Sequence, residues 1–321
     1  MAMIETVTTT VMVNVIFIHP VRAKVIVNHS EALDTPSVVR VSSQADMSEV
    51  KFGFNARDII REGHVAEDDL RTLRDWLSST DLPKLNDEQL VLFLISTNND
   101  VEVCKGTVEN YFRCKTAECV LFRDRNVLNE DLRRIAGVGY FAVLPERYQG
   151  SSLFLSSFQD TNYRNFDTPS FLKMNCMVLE SVLQDENPQD SIYIIDVRGF
   201  SFMHIFKLNL HVIPVYFNYI QTAIPLITKN LHILYANRAL FAAFNIIKPW
   251  LHKDLATKVV FHAGDNGMRD FYEKWIPKRY FPKEIGGDLG SIKVYHERTM
   301  RKVRDLQHYF DAEEKQRTGH R

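Results

Sequence analysis

The sequence predicts an α/β fold in which a mostly parallel sheet is flanked by helices and preceded by a small three-helix domain. From residue 139 onward, short runs rich in Val, Ile and aromatic residues alternate with stretches of helical periodicity, as in parallel sheets. Before them, apolar residues recur at helical spacing over residues 55–117. The 321 residues are 45% hydrophobic and 25% charged, a globular composition that excludes a fibrous or disordered protein.

The first 53 residues are predicted to be a poorly ordered extension, because they are rich in Val, Thr and Ser and show no helical period. Their apolar run Val11–Ile18 contains Asn14 and is far shorter than the roughly 20 residues of a membrane span. No basic segment precedes the run, so it does not resemble a secretory signal. With four cysteines and no Cys-x-x-Cys pair, the chain is expected to be cytoplasmic and only transiently membrane-associated.

Three short amphipathic helices predict a small domain over residues 54–118. Leu70, Leu73 and Leu77 share one helical face, and the acidic turn after Asn86 is a typical start of the second helix. The larger domain is predicted over residues 119–295, and residues 296–321 are predicted to form a charged tail. The larger domain is expected to contain strands at 139–144, 152–158, 191–196, 231–235 and 258–262, with helices near 168–185, 205–222, 238–248 and 267–275.

The charge of the chain is unevenly distributed. The formal net charge is −1, but residues 229–304 carry 15 Lys and Arg against 7 Asp and Glu. Such a basic segment is either an ordinary solvated surface or a face that attracts anionic phosphate, on a membrane or a nucleic acid.

The motifs of common enzyme and cofactor sites are absent from the sequence. It contains no phosphate-binding loop, no dinucleotide fingerprint, no nucleophile elbow and no His-Glu-x-x-His. Asp196, at the end of an apolar strand, is the best single candidate for a catalytic carboxylate. A turn-forming role in Asp196–Gly199 is the favoured alternative.

Residues 238–251 contain an unusually apolar helix. Between Ala239 and Ile247 only Asn245 is polar, whereas a surface helix normally carries a polar face. The segment is therefore either a core helix buried on all sides or a lid. A lid would cover an apolar cavity on one face and meet a bilayer on the other when it opens. Neighbouring lysines, which would hold anionic headgroups, favour the lid.

The same segment resembles the CRAL-TRIO lipid-binding family. Several segments resemble the family's motifs and occur in the family's order. They are Ile-Ile-Asp-Val-Arg-Gly at 194–199, Ala-Asn-Arg at 236–238, the apolar helix, Ile-Lys-Pro-Trp-Leu at 247–251 and Phe-Pro-Lys-Glu-Ile-Gly-Gly at 281–287. Residues 82–102 look like the family's small helical domain. The likeness covers residues 55–295 and is greatest to the branch of alpha-tocopherol transfer protein and cellular retinaldehyde-binding protein, in its insect-type members.

This resemblance implies a non-enzymatic carrier of one hydrophobic molecule, such as a tocopherol, retinoid or other terpenoid, with a hinged helical gate. It also implies that phosphoinositide headgroups at a basic patch trigger exchange of the ligand. Lys229 and Lys258 match two of the branch's basic positions. Ile227 and Asp254 stand where the branch tends to be basic, so this sequence departs from the pattern there.

The hypothesis of a lipid carrier specifies two sets of residues, one for the cavity and one for the membrane. The expected cavity lining is Met174, Val178, Val182, Tyr216, Ile220, Leu226, Leu231, Phe241, Phe244 and Ile247. The expected phosphoinositide-binding and membrane-binding residues are Lys229, Lys248, Trp250, Lys253 and Lys258. No cofactor, metal or nucleic acid is expected, and the protein is expected to be a monomer.

Three alternatives stay open from the sequence. The first is transfer of a phosphatidylinositol-type phospholipid, or a lipid-regulated interaction module. The second is a hydrolase or isomerase that uses Asp196. The third is a static module whose basic segment binds a protein or nucleic acid, which steep salt dependence without a lipid requirement would favour.

Overall fold

The computed structural model describes residues 50–116, 120–185 and 190–319. The predicted N-terminal extension therefore lies outside the described residues, apart from its last four. Of these, Val50 is buried, and its carbonyl oxygen accepts a hydrogen bond from the side chain of Asn86.

The described part of residues 54–118, where three helices are predicted, contains four: α1 (Ala56–Arg61), α2 (Glu67–Ser78), α3 (Asp87–Ser96) and α4 (Val101–Thr116). The predicted face of α2 is buried at Leu70, Leu73 and Leu77. Helix α3 begins where the sequence places it, because Asn86 and Gln89 form a reciprocal capping box.

A five-stranded sheet has its strands in chain order: β1 (Gly139–Val143), β2 (Ser152–Phe158), β3 (Ser191–Asp196), β4 (Thr228–Leu234) and β5 (Val259–His262). Strand β1 is antiparallel to β2, and the other three pairings are parallel. The predicted mostly parallel sheet is thus confirmed.

Helix α5 (Glu130–Val138) leads directly into β1. The remaining helices follow or connect the strands: α6 (Thr168–Val182), α7 (Phe202–Ile205), α8 (Val212–Thr222), α9 (Arg238–Ile247), α10 (Lys253–Thr257), α11 (Gly264–Lys274), α12 (Ile292–Asp305) and α13 (Gln307–Thr318). A single helix over 205–222 was a wrong prediction. Asn209 interrupts it, because its side chain accepts hydrogen bonds from the backbone N–H groups of His211 and Val212 and so starts a new helix. Within the three described ranges, no helix is long and apolar enough to cross a bilayer.

The two faces of the sheet have different neighbours. One face packs Leu153 and Ile192 with Phe271 of α11. The opposite face carries Phe154 and Tyr193, and its apolar residues belong to a cluster that also includes α6 and α8. The cavity described below lies on this second side.

The expected charged tail is instead a pair of packed helices up to residue 319. Strand β1 is an edge strand, and α12 covers that edge: the N–H groups of Phe141 and Val143 donate to His296 Nδ1 (3.0 Å) and Thr299 Oγ1 (2.9 Å). Tyr309 and Phe310 of α13 are buried. The apolar residues that anchor both helices are widely spaced among charged ones, which hid their pattern in the sequence.

Candidate ligand-binding cavity

A cavity of about 180 Å³ lies between the sheet and helices α6, α8 and α9. Among the residues that the structure describes, no charged side chain lines it. The polar side chains in its wall are those of Ser156, Asn175, Tyr193, Tyr216 and Thr228. Its apolar wall includes Phe141, Phe154, Leu155, Val178, Leu179, Ile194, Ile195, Phe217, Ile220, Leu231, Ile233, Leu240, Ala243, Phe244, Ile247, Leu251, Leu255 and Val259.

Helix α9 forms one side of the cavity and is not a core helix buried on all sides. Leu240, Ala243, Phe244 and Ile247 recur at spacings of three and four residues, so they share the face that lines the cavity. On another face the large apolar side chain of Phe241 is exposed. The helix is apolar all round because one face borders the hollow and another reaches the surface.

The ends of α9 are defined by local chemistry. The side chain of Asn237 accepts a hydrogen bond from the Leu240 N–H (2.9 Å) and caps the first turn. The amide of the same side chain donates to the carbonyl of Phe200 (3.1 Å), which ties the helix start to the loop before α7. At the other end the chain passes into a short 3-10 helix, Lys248–Trp250, that contains Pro249.

The predicted lining residues fall into two groups. The structure brings together Val178, Tyr216, Ile220, Leu231, Phe244 and Ile247 around the cavity. The other four lie elsewhere: Met174 and Val182 are buried core residues, Leu226 lines a separate groove, and Phe241 is exposed. Whether the first group contacts ligand stays a prediction.

Sequence reasoning placed Leu231 of β4 in the lining but missed the contribution of β2 and β3 to the cavity. Tyr193, Ile195 and Val197 line it at every second position along and just beyond β3. Residues two apart in a strand point to the same face. That alternation, combined with the apolar positions of β2, was the available signal.

The polar groups of the wall differ in their hydrogen bonding. The Tyr216 hydroxyl donates to Asn175 Oδ1 (2.8 Å). The Tyr193 hydroxyl is buried beside the side chains of Ser191 and Thr228. Burial raises the pKa of Tyr193 to about 12, whereas hydrogen bonding with the side chains of Ser191 and Thr228 acts to lower the pKa. Burial also raises the pKa of Tyr216 well above its usual value. Both phenols are therefore neutral at physiological pH.

A second, more polar groove adjoins the cavity and shares Ile220, Thr228 and Leu255 with it. Ile227 and Asp254, the two positions that depart from the family's basic pattern, line this groove. Among its described lining residues Lys258 is the only Lys or Arg, and its ammonium lies 2.7 Å from the Asp254 carboxylate.

The other expected membrane-binding residues are spread over the same part of the chain. Lys229 is paired with Asp190 at 2.9 Å. Lys248 and Lys253 are exposed and make no ion pair within the described ranges. Trp250 is half-buried, and its carbonyl accepts a hydrogen bond from Gln221 (3.1 Å). The structure thus does not gather the predicted cations into one pocket.

Exposed apolar side chains occur on α9, on the neighbouring α7, which packs against it, and in the segment that follows α7. We call this set the apolar patch, and it comprises Phe202, Met203, Phe206, Leu210, Phe241 and Ile246. Phe206 is 81% exposed and Phe202 is 56% exposed. A group of large apolar side chains in water is unfavourable and typically marks a surface that meets an apolar partner.

The Asp196 carboxylate stabilises the turn formed by residues 196–199. Its carboxylate accepts hydrogen bonds from the Arg198 backbone N–H (3.0 Å) and guanidinium (3.0 and 3.1 Å from Nε). The guanidinium also donates to the carbonyl of Glu284 (2.7 Å). Gly199 completes the turn with a φ of 85°, a conformation that favours glycine. These contacts support the turn-forming alternative over a catalytic carboxylate.

Comparisons with known proteins agree with this architecture. The family described as "CRAL/TRIO domain" matches residues 139–287, and "Pinta-like, UBA domain" matches residues 63–132. Curated relatives named "Alpha-tocopherol transfer protein-like" include a Mus musculus protein, 23% identical over 236 residues and 73% of this chain. A Homo sapiens protein of that name is 22% identical over 231 residues and 70% of this chain.

Both alignments cover 66% of the relative's length, so the chain spans just under two thirds of these proteins. Among solved structures, the crystal structure of Sfh5 is similar with a TM-score of 0.42 and 10% identity, over 74% of this chain and 98% of that one. The matched domain contains all five strands and helix α9. The chain is therefore similar to the CRAL/TRIO domain family over residues 139–287, in agreement with the resemblance that its motifs predicted.

Proposed function

We propose that this protein binds one small hydrophobic lipid in the cavity and carries it between membranes without catalysing a reaction. The observation that carries the proposal is the uncharged, mostly apolar hollow beneath α9. Transfer of a free lipid through water exposes its surface: at about 25 cal/mol per Å², roughly 400 Å² costs on the order of 10 kcal/mol. An enclosed apolar site removes that cost and needs no acid, base or nucleophile.

The size of the hollow bears on how a ligand enters. Apolar cavities of roughly 150 Å³ stay dry and take guests of about the size of benzene. A terpenoid the size of a tocopherol or retinoid therefore requires α9 to move outward, which supports a role of α9 as the gate. The relatives' name, alpha-tocopherol transfer protein-like, makes tocopherol a suitable first ligand to test.

The apolar patch supports docking to a membrane. It lies on the outer side of the gate, where insertion of Phe206 and Phe241 into the acyl boundary would bring α9 to the bilayer. Exposed Lys248 and Lys253 follow the gate in the chain. Each cation close to an anionic surface contributes about 1 kcal/mol of attraction. We propose that anionic lipid and the apolar patch act together in opening the gate.

Phosphoinositide docking, which the family resemblance implies, rests on Lys229 and Lys258. Each of these lysines is ion-paired with a carboxylate, and the groove around Lys258 offers no second Lys or Arg among its described lining residues. We therefore propose that docking depends on the density of negative charge, with phosphoinositides as one carrier of that charge.

The proposal is tested by the lipid content of the protein. Native mass spectrometry of protein purified from its own tissue is expected to show one hydrophobic molecule per chain. The purified protein is then expected to take up fluorescent tocopherol and to pass it between vesicles. A chain that retains no extractable lipid and takes up no hydrophobic probe would overturn the proposal. Phosphatidylinositol as the retained lipid would favour the phospholipid-transfer alternative.

A further inference from the structure

A side chain of α8 holds the backbone just after the gate helix α9. The amide nitrogen of Gln221 donates a hydrogen bond to the Trp250 carbonyl (3.1 Å), and its amide oxygen accepts one from the His252 backbone N–H (2.7 Å). The same nitrogen also donates to the Phe217 carbonyl within α8 (2.7 Å). These three partners fix the orientation of the amide and use both hydrogens of its nitrogen.

The hydrogen bonds of Gln221 lie at the rim of the cavity. Leu251, which stands between the two bonded residues, lines the cavity, and so does Ile220, the neighbour of Gln221 in α8. Gln221 and His252 line the adjoining polar groove. The cavity and the groove have Ile220 and Leu255 in common. Gln221 therefore ties α8 to the gate segment at the place where the two hollows meet.

The N-terminal end of α9 has a different kind of junction. Tyr235, two residues before the capping Asn237, has a φ of 56°. This left-handed conformation is an outlier for a bulky side chain, and the strain that it stores is relieved when the backbone rotates. The guanidinium of Arg198 lies over the Tyr235 ring, 4.2 Å from its centroid, and stabilises it in this position. A rotation of the backbone at Tyr235 would swing the whole helix, so this junction has the properties of a hinge.

We propose that Gln221 is the latch of the gate. When α9 swings outward about Tyr235, the hydrogen bonds from Gln221 to residues 250 and 252 break, and the C-terminal end of the gate leaves α8. The inference rests on the proposed lipid-carrier function and deepens it, because it identifies which end of the gate opens and which side chain holds it. Gln221 is a positioning residue, since it acts through the backbone that follows α9.

The latched end is also the end that an anionic membrane would pull. Exposed Lys248 and Lys253 stand in the chain on either side of the two hydrogen-bonded residues. Attraction of these ammonium groups to a negatively charged surface therefore acts on the latched end directly. Release of Gln221 would then connect the cavity with the groove between α8 and α10.

A latch has a distinct kinetic signature. It stabilises the closed state to the same extent with and without ligand, so its removal accelerates entry and release alike and leaves the affinity nearly unchanged. A side chain that only shapes the cavity or supports the fold would instead change the affinity or the thermal stability.

Stopped-flow fluorescence with the hydrophobic probe N-phenyl-1-naphthylamine measures both rates on the full chain. Gln221→Met keeps the length of the side chain and removes its polar groups. Association and dissociation are each expected to become roughly 10-fold faster, which is the range of one to two neutral hydrogen bonds. The affinity is expected to stay within about 2-fold of the wild type.

The matched control is Thr222→Val at the next position of α8. The Thr222 hydroxyl donates to the Asn218 carbonyl (2.8 Å) within the same helix, so its removal leaves the gate segment untouched. The control is expected to keep the wild-type rates. Hydrogen–deuterium exchange without ligand gives a second measurement. Peptides that cover α9 should exchange faster in Gln221→Met and at the wild-type rate in Thr222→Val.

The outcomes separate the latch from the function beneath it. Wild-type rates and wild-type exchange of α9 in Gln221→Met overturn the latch and leave lipid binding intact. A lower affinity with an unchanged association rate overturns it as well, because Gln221 would then act on the bound ligand. If wild-type protein binds neither the probe nor tocopherol, the proposed function fails, whereas the exchange of α9 still decides whether Gln221 holds the segment in place.

Discussion

Nη1 of Arg125 lies 2.8 Å from Oε2 of Glu180, and both side chains are buried. The same guanidinium bonds Glu313 of α13, whose carboxylate also contacts Lys115 (3.3 Å) and Arg317 (3.2 Å). Burial alone would raise the pKa of Glu313, but the positive charges of Arg125 and Lys115 hold it well below its usual value. This ionic network joins α4, α6 and α13, so the C-terminal helix is fastened to the wall of the cavity.

Replacement of Arg125 tests how much this network stabilises the fold. Arg125→Met leaves Glu180 and Glu313 buried with less compensating charge, and we expect a loss of about 3–5 kcal/mol in the free energy of unfolding. Urea denaturation measures this loss in the free energy of unfolding. The control Arg71→Met breaks an exposed pair with Asp68 (2.7 Å) and is expected to cost at most about 1 kcal/mol. A loss below about 1 kcal/mol for Arg125→Met would show that the network contributes little.

The strands were predictable because their chemistry is local. Strands β2 and β3 begin and end at the predicted residues, since each is an apolar run of strand length bounded by polar or turn-forming residues. Helix α13 was not predicted, because its residues Glu313 and Arg317 are charged yet buried. A pattern that assigns charges to the surface cannot detect ions that neutralise one another inside.

The cavity was predictable only in part for a different reason. Helical spacing identifies which side of α9 faces inward, and Phe244 and Ile247 lie where that spacing places them. Met174 has the same inward spacing on α6 but is fully packed. Periodicity distinguishes inside from outside, whereas a hollow depends on the volumes of side chains from several elements.

The pH dependence of stability is expected to reflect a buried histidine pair. His232 Nδ1 lies 3.0 Å from His262 Nε2, and burial, with a smaller contribution from His262, lowers the pKa of His232 to about 3. Because an unfolded histidine has a pKa of about 6.5, the unfolded chain binds the proton first as the pH falls. The contribution of His232 is thus complete above pH ~6.5 and is lost progressively below it, by at most about 1.4 kcal/mol per pH unit.

Urea unfolding between pH 7 and 5 measures this slope. His232→Leu is expected to flatten this slope. The variant also loses the hydrogen bond between His232 Nδ1 and His262 Nε2, whereas Nε2 of His232 has no partner among the described residues. The exposed His211→Gln is the control and is expected to keep the wild-type slope. Identical slopes for wild type and His232→Leu would mean that other groups govern acid sensitivity in this range.

Filling the cavity from the gate is expected to block ligand uptake without harm to the fold. Ala243 lines the cavity, so Ala243→Leu places added methyl groups in the hollow, where they gain packing contacts and stability stays equal or rises. Uptake of fluorescent tocopherol is expected to fall at least several-fold. Ala242→Leu, one residue away but outside the lining, serves as the control. Uptake that is unchanged in Ala243→Leu would place the ligand elsewhere.

Membrane docking is expected to depend on the apolar patch. Phe206→Glu replaces its most exposed aromatic side chain by a charge that the bilayer interface disfavours. Binding to liposomes, measured by sedimentation, is expected to drop several-fold with little change in thermal stability. Val294→Glu, at a similarly exposed apolar position of α12, is the control. Equal losses in both variants would indicate an effect of net charge alone.

Binding to vesicles of different lipid composition distinguishes two modes of docking. In one, the protein is attracted to any anionic surface; in the other, it recognises one headgroup. Vesicles with phosphatidylserine and vesicles with phosphatidylinositol bisphosphate, matched in surface charge, are expected to bind the protein about equally. Replacing exposed Lys248 and Lys253 by Gln is expected to weaken binding to both, at about 1 kcal/mol per cation. Replacing Lys229 and Lys258 by Gln should change binding less, because carboxylates already neutralise these ammonium groups. A strong preference for the phosphoinositide at matched charge, lost on replacement of Lys229 and Lys258, would contradict this order and restore a headgroup-specific site.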